Sequence, residues 1–227
     1  MSDSNQKTAL IAGASGLVGG LALNDLLAGN DYSKVTALVR KPLALKHAKL
    51  QQVITDFRNL DTLGQALAAD DVFCCLGTTI KKAGSQAAFI QVDQDFPLAL
   101  AKASLKLGAK HFLIVTALGA KSSSNYFYNR VKGNIEAALA ALGFARLTVL
   151  RPSLLLGARE DLRFVEFLAQ IFATLFGWGF FGKLKRYRPI KAKAVARALA
   201  LSARQGGEKL TILESDEISK LAASVSY

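Results

Sequence analysis

The chain has 227 residues, 51% of them apolar and 20% charged. Disordered, collagen-like and low-complexity classes are thereby excluded, and a chain this long buries enough core to need no disulfide or metal staple. Lys and Arg number 29 against 17 Asp and Glu, a net charge of +12, which favours a polyanionic partner: nucleic acid, an anionic membrane or a phosphorylated cofactor.

The first residues carry no charged segment ahead of a long apolar one, so the sequence predicts a cytoplasmic rather than a secreted protein. Residues 8–12 (TALIA) read as the first strand and residues 16–28 as a helix. Between them runs Gly13-Ala14-Ser15-Gly16-Leu17-Val18-Gly19, a GxxGxxG loop after a strand and before a helix. The first glycine allows the tight turn, the second close approach of a pyrophosphate, and the third close packing of helix on strand. The helix N-terminus adds free N–H groups, so Gly13, Ser15, Gly16, Leu17, Val18 and Gly19 are candidate dinucleotide-binding residues.

A second strand over 35–39 ends in Arg40-Lys41, where an acid would bind the ribose 2′-hydroxyl of NAD. Arginine suits a 2′-phosphate, so NADP(H) is expected in preference to NAD(H). The third strand, 50–55, ends at Asp56-Phe57, with Asp56 placed for the adenine amino group and Phe57 as an apolar wall; a short helix is predicted over 60–68. The fourth, 71–76, holds adjacent Cys74 and Cys75, which point to opposite faces and read as reduced thiols. It closes at Leu76-Gly77-Thr78, expected to line the pyrophosphate and ribose side. His47 and His111 stand at no metal-ligand spacing, so no metal is expected.

A long helix over 87–107, containing Pro97, leads to a fifth strand at 111–116, a helix at 126–141 and a sixth strand at 146–150. Apolar strands alternating with helices predict an α/β, Rossmann-like doubly wound parallel sheet. The reading is one domain, 1–227, with 151–227 as a small helix-rich lobe on the substrate side. On the helix after the fifth strand, Tyr128 and Lys132 stand four apart on one face. A cation one turn away, with an oxidised nicotinamide, would lower the phenol pKa from about 10, so Tyr128 is the candidate acid–base and Lys132 its partner.

These residues together resemble the short-chain dehydrogenase/reductases, in particular the atypical branch related to the Tat-interacting protein. The resemblance rests on GASGLVG (13–19), VRKP (39–42), CCLGTT (74–79), VDQDFPLALAKA (92–103), HFLIVTALGA (111–120), YNRVKG (128–133), RPSLLLG (151–157) and an LESDEI ending (213–218), so it covers nearly the whole chain. It implies a Rossmann fold, NADP(H) binding, Tyr128 as general acid–base with Lys132 as electrostatic partner, and the backbone of Pro152, Ser153 and Leu154 beside the nicotinamide. Relatives usually carry Ser-Ser before the glycine that Gly119 matches, whereas Thr116-Ala117 stands here. Thr116, or Ser122, Ser123 or Ser124, is therefore the candidate donor to a substrate carbonyl.

The expected function is NADP(H)-dependent oxidoreduction of a small carbonyl or alcohol compound. The alternative is a weakly active or inactive NADP(H)-binding regulator or assembly factor with a protein or membrane partner. No helix-turn-helix, zinc-finger or aromatic RNA-binding signature accompanies the positive charge, so nucleic acid is not expected. The uncharged run 167–182 is too short to span a bilayer. With Lys183, Lys185, Arg186, Arg188, Lys191, Lys193 and Arg197 behind it, segment 167–197 fits either a cover over the substrate or a peripheral membrane contact. Oligomeric state is not legible.

Overall fold

The central strands are near-continuous apolar runs because both of their faces are covered. The computed structural model describes residues 6–157 and 186–224. In chain order these residues form β1 (Lys7–Ala12), α1 (Leu17–Ala28), β2 (Tyr32–Val39), β3 (Leu50–Ile54) and a 3₁₀ segment, Leu60–Leu67. Then follow β4 (Asp71–Cys74), α2 (Ile80–Ala83), α3 (Gln86–Ile90), a π-helical turn (Gln91–Asp95), α4 (Phe96–Lys106), β5 (His111–Val115), α5 (Phe127–Ala141) and β6 (Arg146–Arg151). The remainder is β7 (Leu155–Leu156), β8 (Ile190–Lys191), α6 (Ala192–Arg204), β9 (Leu210–Glu214) and α7 (Ser215–Ala223).

Seven strands make one sheet in the order β3-β2-β1-β4-β5-β6-β9, every neighbouring pair parallel. Alternation along the strands feeds two cores. Ala9, Ile11, Val35, Ala37, Phe73 and Leu113 pack with α1, α6 and α7 on one face. Leu10, Leu38, Val72, Cys74, Phe112 and Ile114 pack with the 3₁₀ segment, α4 and α5 on the other. The chain leaves β1 in one direction for β2 and β3 and in the other for β4, so the carboxyl ends of β1 and β4 diverge into the crevice where such sheets bind ligands.

Three expectations change in detail. The long helix over 87–107 is α3, the π turn and α4, because Pro97 in the first turn of α4 has no N–H to continue the ladder. The helix over 60–68 is 3₁₀ and broken at Gly64, whose φ is 48°. Residues 210–214, read within a helix-rich tail, form β9 and complete the main sheet beside β6. The aromatic run and the lysines through Lys185 lie outside the described residues. Among the described residues no helix is long and apolar enough to cross a membrane.

Candidate cofactor and active site

The loop after β1 is shaped by what passes beside it. Gly13 has φ +87°, and a Cβ there would run into the Cys75 backbone where β4 ends. A Cβ on Gly19 would meet the Gly13 carbonyl, so α1 can seat on the turn only with glycine at that position. The turn is closed by Gly16 N–H donating to the Gly13 carbonyl at 2.9 Å. The Gly16 side has no capping side chain and the first turn of α1 no acid, leaving a helix N-terminus with amides and dipole suited to a phosphate. These features fit a dinucleotide.

A cleft of about 340 Å³ opens at the carboxyl ends of the strands. Gly16, Leu17 and Val18 from the glycine loop, Leu76, Gly77 and Thr78 after β4, Thr116 after β5, Tyr128 and Lys132 on α5, and Pro152, Ser153 and Leu154 after β6 all line it. Arg40 and Lys41 are exposed directly after β2, outside the cleft lining. Asp56 is exposed after β3 and accepts a hydrogen bond from the Arg58 N–H at 3.0 Å. Phe57 is only 5% exposed, with φ 68°, and its ring stacks on Phe96 at 5.8 Å. It is a core side chain at the turn after β3.

Tyr128, Lys132 and Glu136 follow one another at four-residue spacing on α5. Phe89 of α3 braces the Tyr128 ring at 5.6 Å, and the Lys132 ammonium lies 6.0 Å from that ring's centre. Sequence reasoning missed the partner of Lys132. Asp93, 1% exposed on the π turn, places Oδ1 2.7 Å from Nζ, while its Oδ2 accepts the Thr78 N–H at 2.9 Å. Burial works against the Lys132 charge, but Tyr128 and Asp93 more than offset it and its pKa rises.

The Tyr128 pKa also rises: desolvation raises it, Lys132 pulls it down, and Asp93 pushes it up. The lowering expected from Lys132 together with an oxidised nicotinamide is thus not produced by the lysine by itself. Because 37% of the residue remains open to solvent, the burial contribution is partial. Burial pushes the Cys74 thiol up to about 12, so it stays a thiol beside the site.

Thr116 donates its hydroxyl proton to Glu136 Oε1 at 2.6 Å. Glu136 in turn is held by Arg151 at the end of β6, through Nε at 3.1 Å to both oxygens and Nη2 to Oε2. A hydroxyl has one proton, so in this geometry Thr116 secures the floor of the cleft rather than offering a donor to it. Ser122, Ser123 and Ser124 are not among the residues lining the cleft; Ser124 Oγ accepts the Tyr126 N–H. Glu136 carried one legible signal, its place one turn beyond Lys132. Asp93 carried none beyond an acid in an apolar helix face.

Residues 13–155 match the family model described as NAD(P)H-binding. The rat protein HTATIP2 is 41% identical over 170 residues, covering 73% of this chain and 70% of that one. The mitochondrial protein FMP52 of Eremothecium gossypii is 34% identical over 216 residues, covering 94% and 96%. Among solved structures, human epimerase family protein SDR39U1 with NADPH superposes with a TM-score of 0.62 at 20% identity over 92% of this chain and 73% of its own. MoeE5 in complex with UDP-glucose and NAD gives a TM-score of 0.68 at 18% identity over 95% and 81%. The FMP52 relatives, named mitochondrial in several fungi, overturn the cytoplasmic expectation. That expectation rested on reduced thiols and N-terminal composition, and a thiol's redox state does not separate one reducing compartment from another. With a glycine loop at the switch point of a parallel sheet, and relatives matching along most of their length, the chain belongs to the NAD(P)H-binding family and, within it, to the atypical short-chain dehydrogenase/reductases of the HTATIP2 branch.

Proposed function

We propose that the protein is an NADP(H)-dependent oxidoreductase acting on a small carbonyl or alcohol compound. The observation that carries this reading is the meeting of Tyr128 and Lys132 with the glycine loop and the Pro152–Leu154 backbone around one cleft. When bound, the reduced cofactor supplies a hydride to the substrate carbon. The amides at the start of α1 hold the pyrophosphate, and the exposed Arg40 and Lys41 meet the 2′-phosphate. Asp56 stands at the adenine end. Lys132 has three N–H donors, one turned to Asp93, and offers the others to the nicotinamide ribose. Tyr128 gives its proton to the substrate oxygen as the hydride arrives. Within a single domain, Pro152, Ser153 and Leu154 stand on the substrate side of the cleft.

Titrating the full chain with NADPH, NADP⁺, NADH and NAD⁺ by calorimetry tests the cofactor half. Preference for the phosphorylated pair, reduced about tenfold or more in Arg40→Ala, is expected. No binding of any of the four would sink the reading. Tyr128→Phe is expected to abolish turnover while leaving NADPH affinity nearly unchanged; an equal loss of affinity would remove Tyr128 from the acid–base role.

A second reading, a weakly active NADP(H)-binding regulator, is favoured by one observation: the Thr116 proton is directed to Glu136 instead of the cleft. Loss of an oxyanion donor costs on the order of 10²–10³ in rate. Cofactor binding without turnover across a broad carbonyl panel would support it.

A further inference from the structure

Asp93 is the one buried carboxylate lining the cleft among the described residues, and the proposed reaction gives it no step. The π turn that carries it is the local feature that brings it there. Pro97 interrupts the helical ladder, the turn widens, and Asp93 comes to face α5 while its neighbours Gln91 and Asp95 stay exposed. Two donors fix the carboxylate, the Lys132 ammonium at 2.7 Å and the Thr78 N–H at 2.9 Å. The pair sits against the loop backbone: a Cβ on Gly77 would lie 3.5 Å from Asp93 Oδ1 and 3.9 Å from Lys132 Nζ.

We propose that Asp93 is a positioning residue that, through its ion pair with Lys132, keeps Tyr128 in its proton-donating form at neutral pH, the form that carbonyl reduction requires. The inference rests on the oxidoreductase reading above. A solitary ammonium 6.0 Å from the phenol ring would favour phenolate. A carboxylate in contact with that ammonium cancels most of its field, and the phenol keeps its proton. The groups facing this centre are Tyr128 and Lys132 from α5, Cys74 from β4 and Cys75 just after it, Asp93 from the π turn and Lys82 from α2. Burial keeps both thiols neutral, and Glu136 and Arg151 pair with each other.

In the reductive direction the hydride brings two electrons to the carbonyl carbon and the C=O π bond opens onto oxygen. The Tyr128 O–H then breaks to protonate that oxygen. The products are the alcohol, the oxidised cofactor and a phenolate that takes a proton back from solvent through the open cleft. The reverse direction must first remove the Tyr128 proton, which Asp93 makes harder.

The test is the isosteric Asp93→Asn substitution in the full chain. Ultraviolet tyrosinate absorbance, taken as the difference between each protein and its Tyr128→Phe counterpart, isolates this phenol from the other tyrosines without requiring turnover. Asp93→Asn is expected to ionise Tyr128 at lower pH and to move the pH at which carbonyl reduction falls off downward by about one unit, with the alcohol-oxidation profile moving the same way. A Tyr128 midpoint that stays in place or moves to higher pH would overturn the proposal. Should Asp93→Asn lose its cooperative melt, Asp93→Ser is titrated in the same way: a Tyr128 midpoint below the wild-type one supports the proposal, and one at or above it overturns it. Absence of turnover in the wild-type protein sinks the oxidoreductase reading instead and leaves the tyrosinate result standing.

Discussion

At the residue scale, the site is built from charges that neutralise one another. Lys132 pairs with Asp93, and Arg151 with Glu136, so a basic chain presents a cleft floor of low net charge. The Glu136–Arg151 pair is nearly closed to solvent, with side chains 9% and 22% exposed. Glu136→Gln removes the charge from a bidentate partner and leaves Arg151 half-buried without it, so a loss of about 3 kcal/mol in urea unfolding is expected. A loss under about 0.5 kcal/mol would show the pair to be solvated in solution. Tyr128, Lys132 and the glycine loop were legible because each sits at a fixed spacing within one element. Asp93–Lys132 and Thr116–Glu136 were not: their partners come from separate elements, and only the sheet order brings them together.

At the element scale, what could be read depended on how much of a segment is buried. β1, β4 and β5 are closed on both faces and announce themselves as apolar runs. β9 is an edge strand whose Leu210 and Ile212 are 42% and 37% exposed, and a half-open LTILE after a helix has no signal of comparable strength. The π turn left no trace either, since a five-residue hydrogen-bond step has no composition of its own. Helix α1 illustrates how one atom can set an element's position. Gly19→Ala places a methyl group against the Gly13 carbonyl, and overpacking of this kind costs about 1–3 kcal/mol. The substitution is expected to lower NADPH affinity about tenfold and the melting temperature by about 5 °C. Unchanged affinity measured by calorimetry would mean that α1 tolerates the displacement.

At the scale of the whole molecule, a buried polar chain crosses the sheet away from the cleft. Tyr32 donates to Asp71 Oδ2 at 2.7 Å, and Lys7 reaches the same oxygen at 3.2 Å. His111 meets Thr148 at 2.8 Å through Nε2, while its Nδ1 lies 3.9 Å from Asp71 Oδ1, too long for a hydrogen bond. Burial, with Arg146 and Lys7 adding to it, lowers the His111 pKa to about 3. The unfolded chain therefore binds a proton near pH 6.5 that the folded chain refuses, and stability falls as pH drops from there toward 3. Between pH 6.5 and pH 5 a loss of about 2 kcal/mol from this residue is expected. His111→Gln should flatten that limb of the stability profile, and an identical acid limb in both proteins would assign it to other groups.

The position of β9 has a consequence during synthesis. β6 pairs with β5 on one side and with β9 on the other. A nascent chain that has emerged only as far as α6 carries β6 with an open row of backbone donors and acceptors, flanked by apolar side chains. Such an edge recruits strands from other molecules. Ribosomal pausing, or a premature stop between residues 205 and 209, is thus expected to yield aggregates rather than a shortened soluble protein.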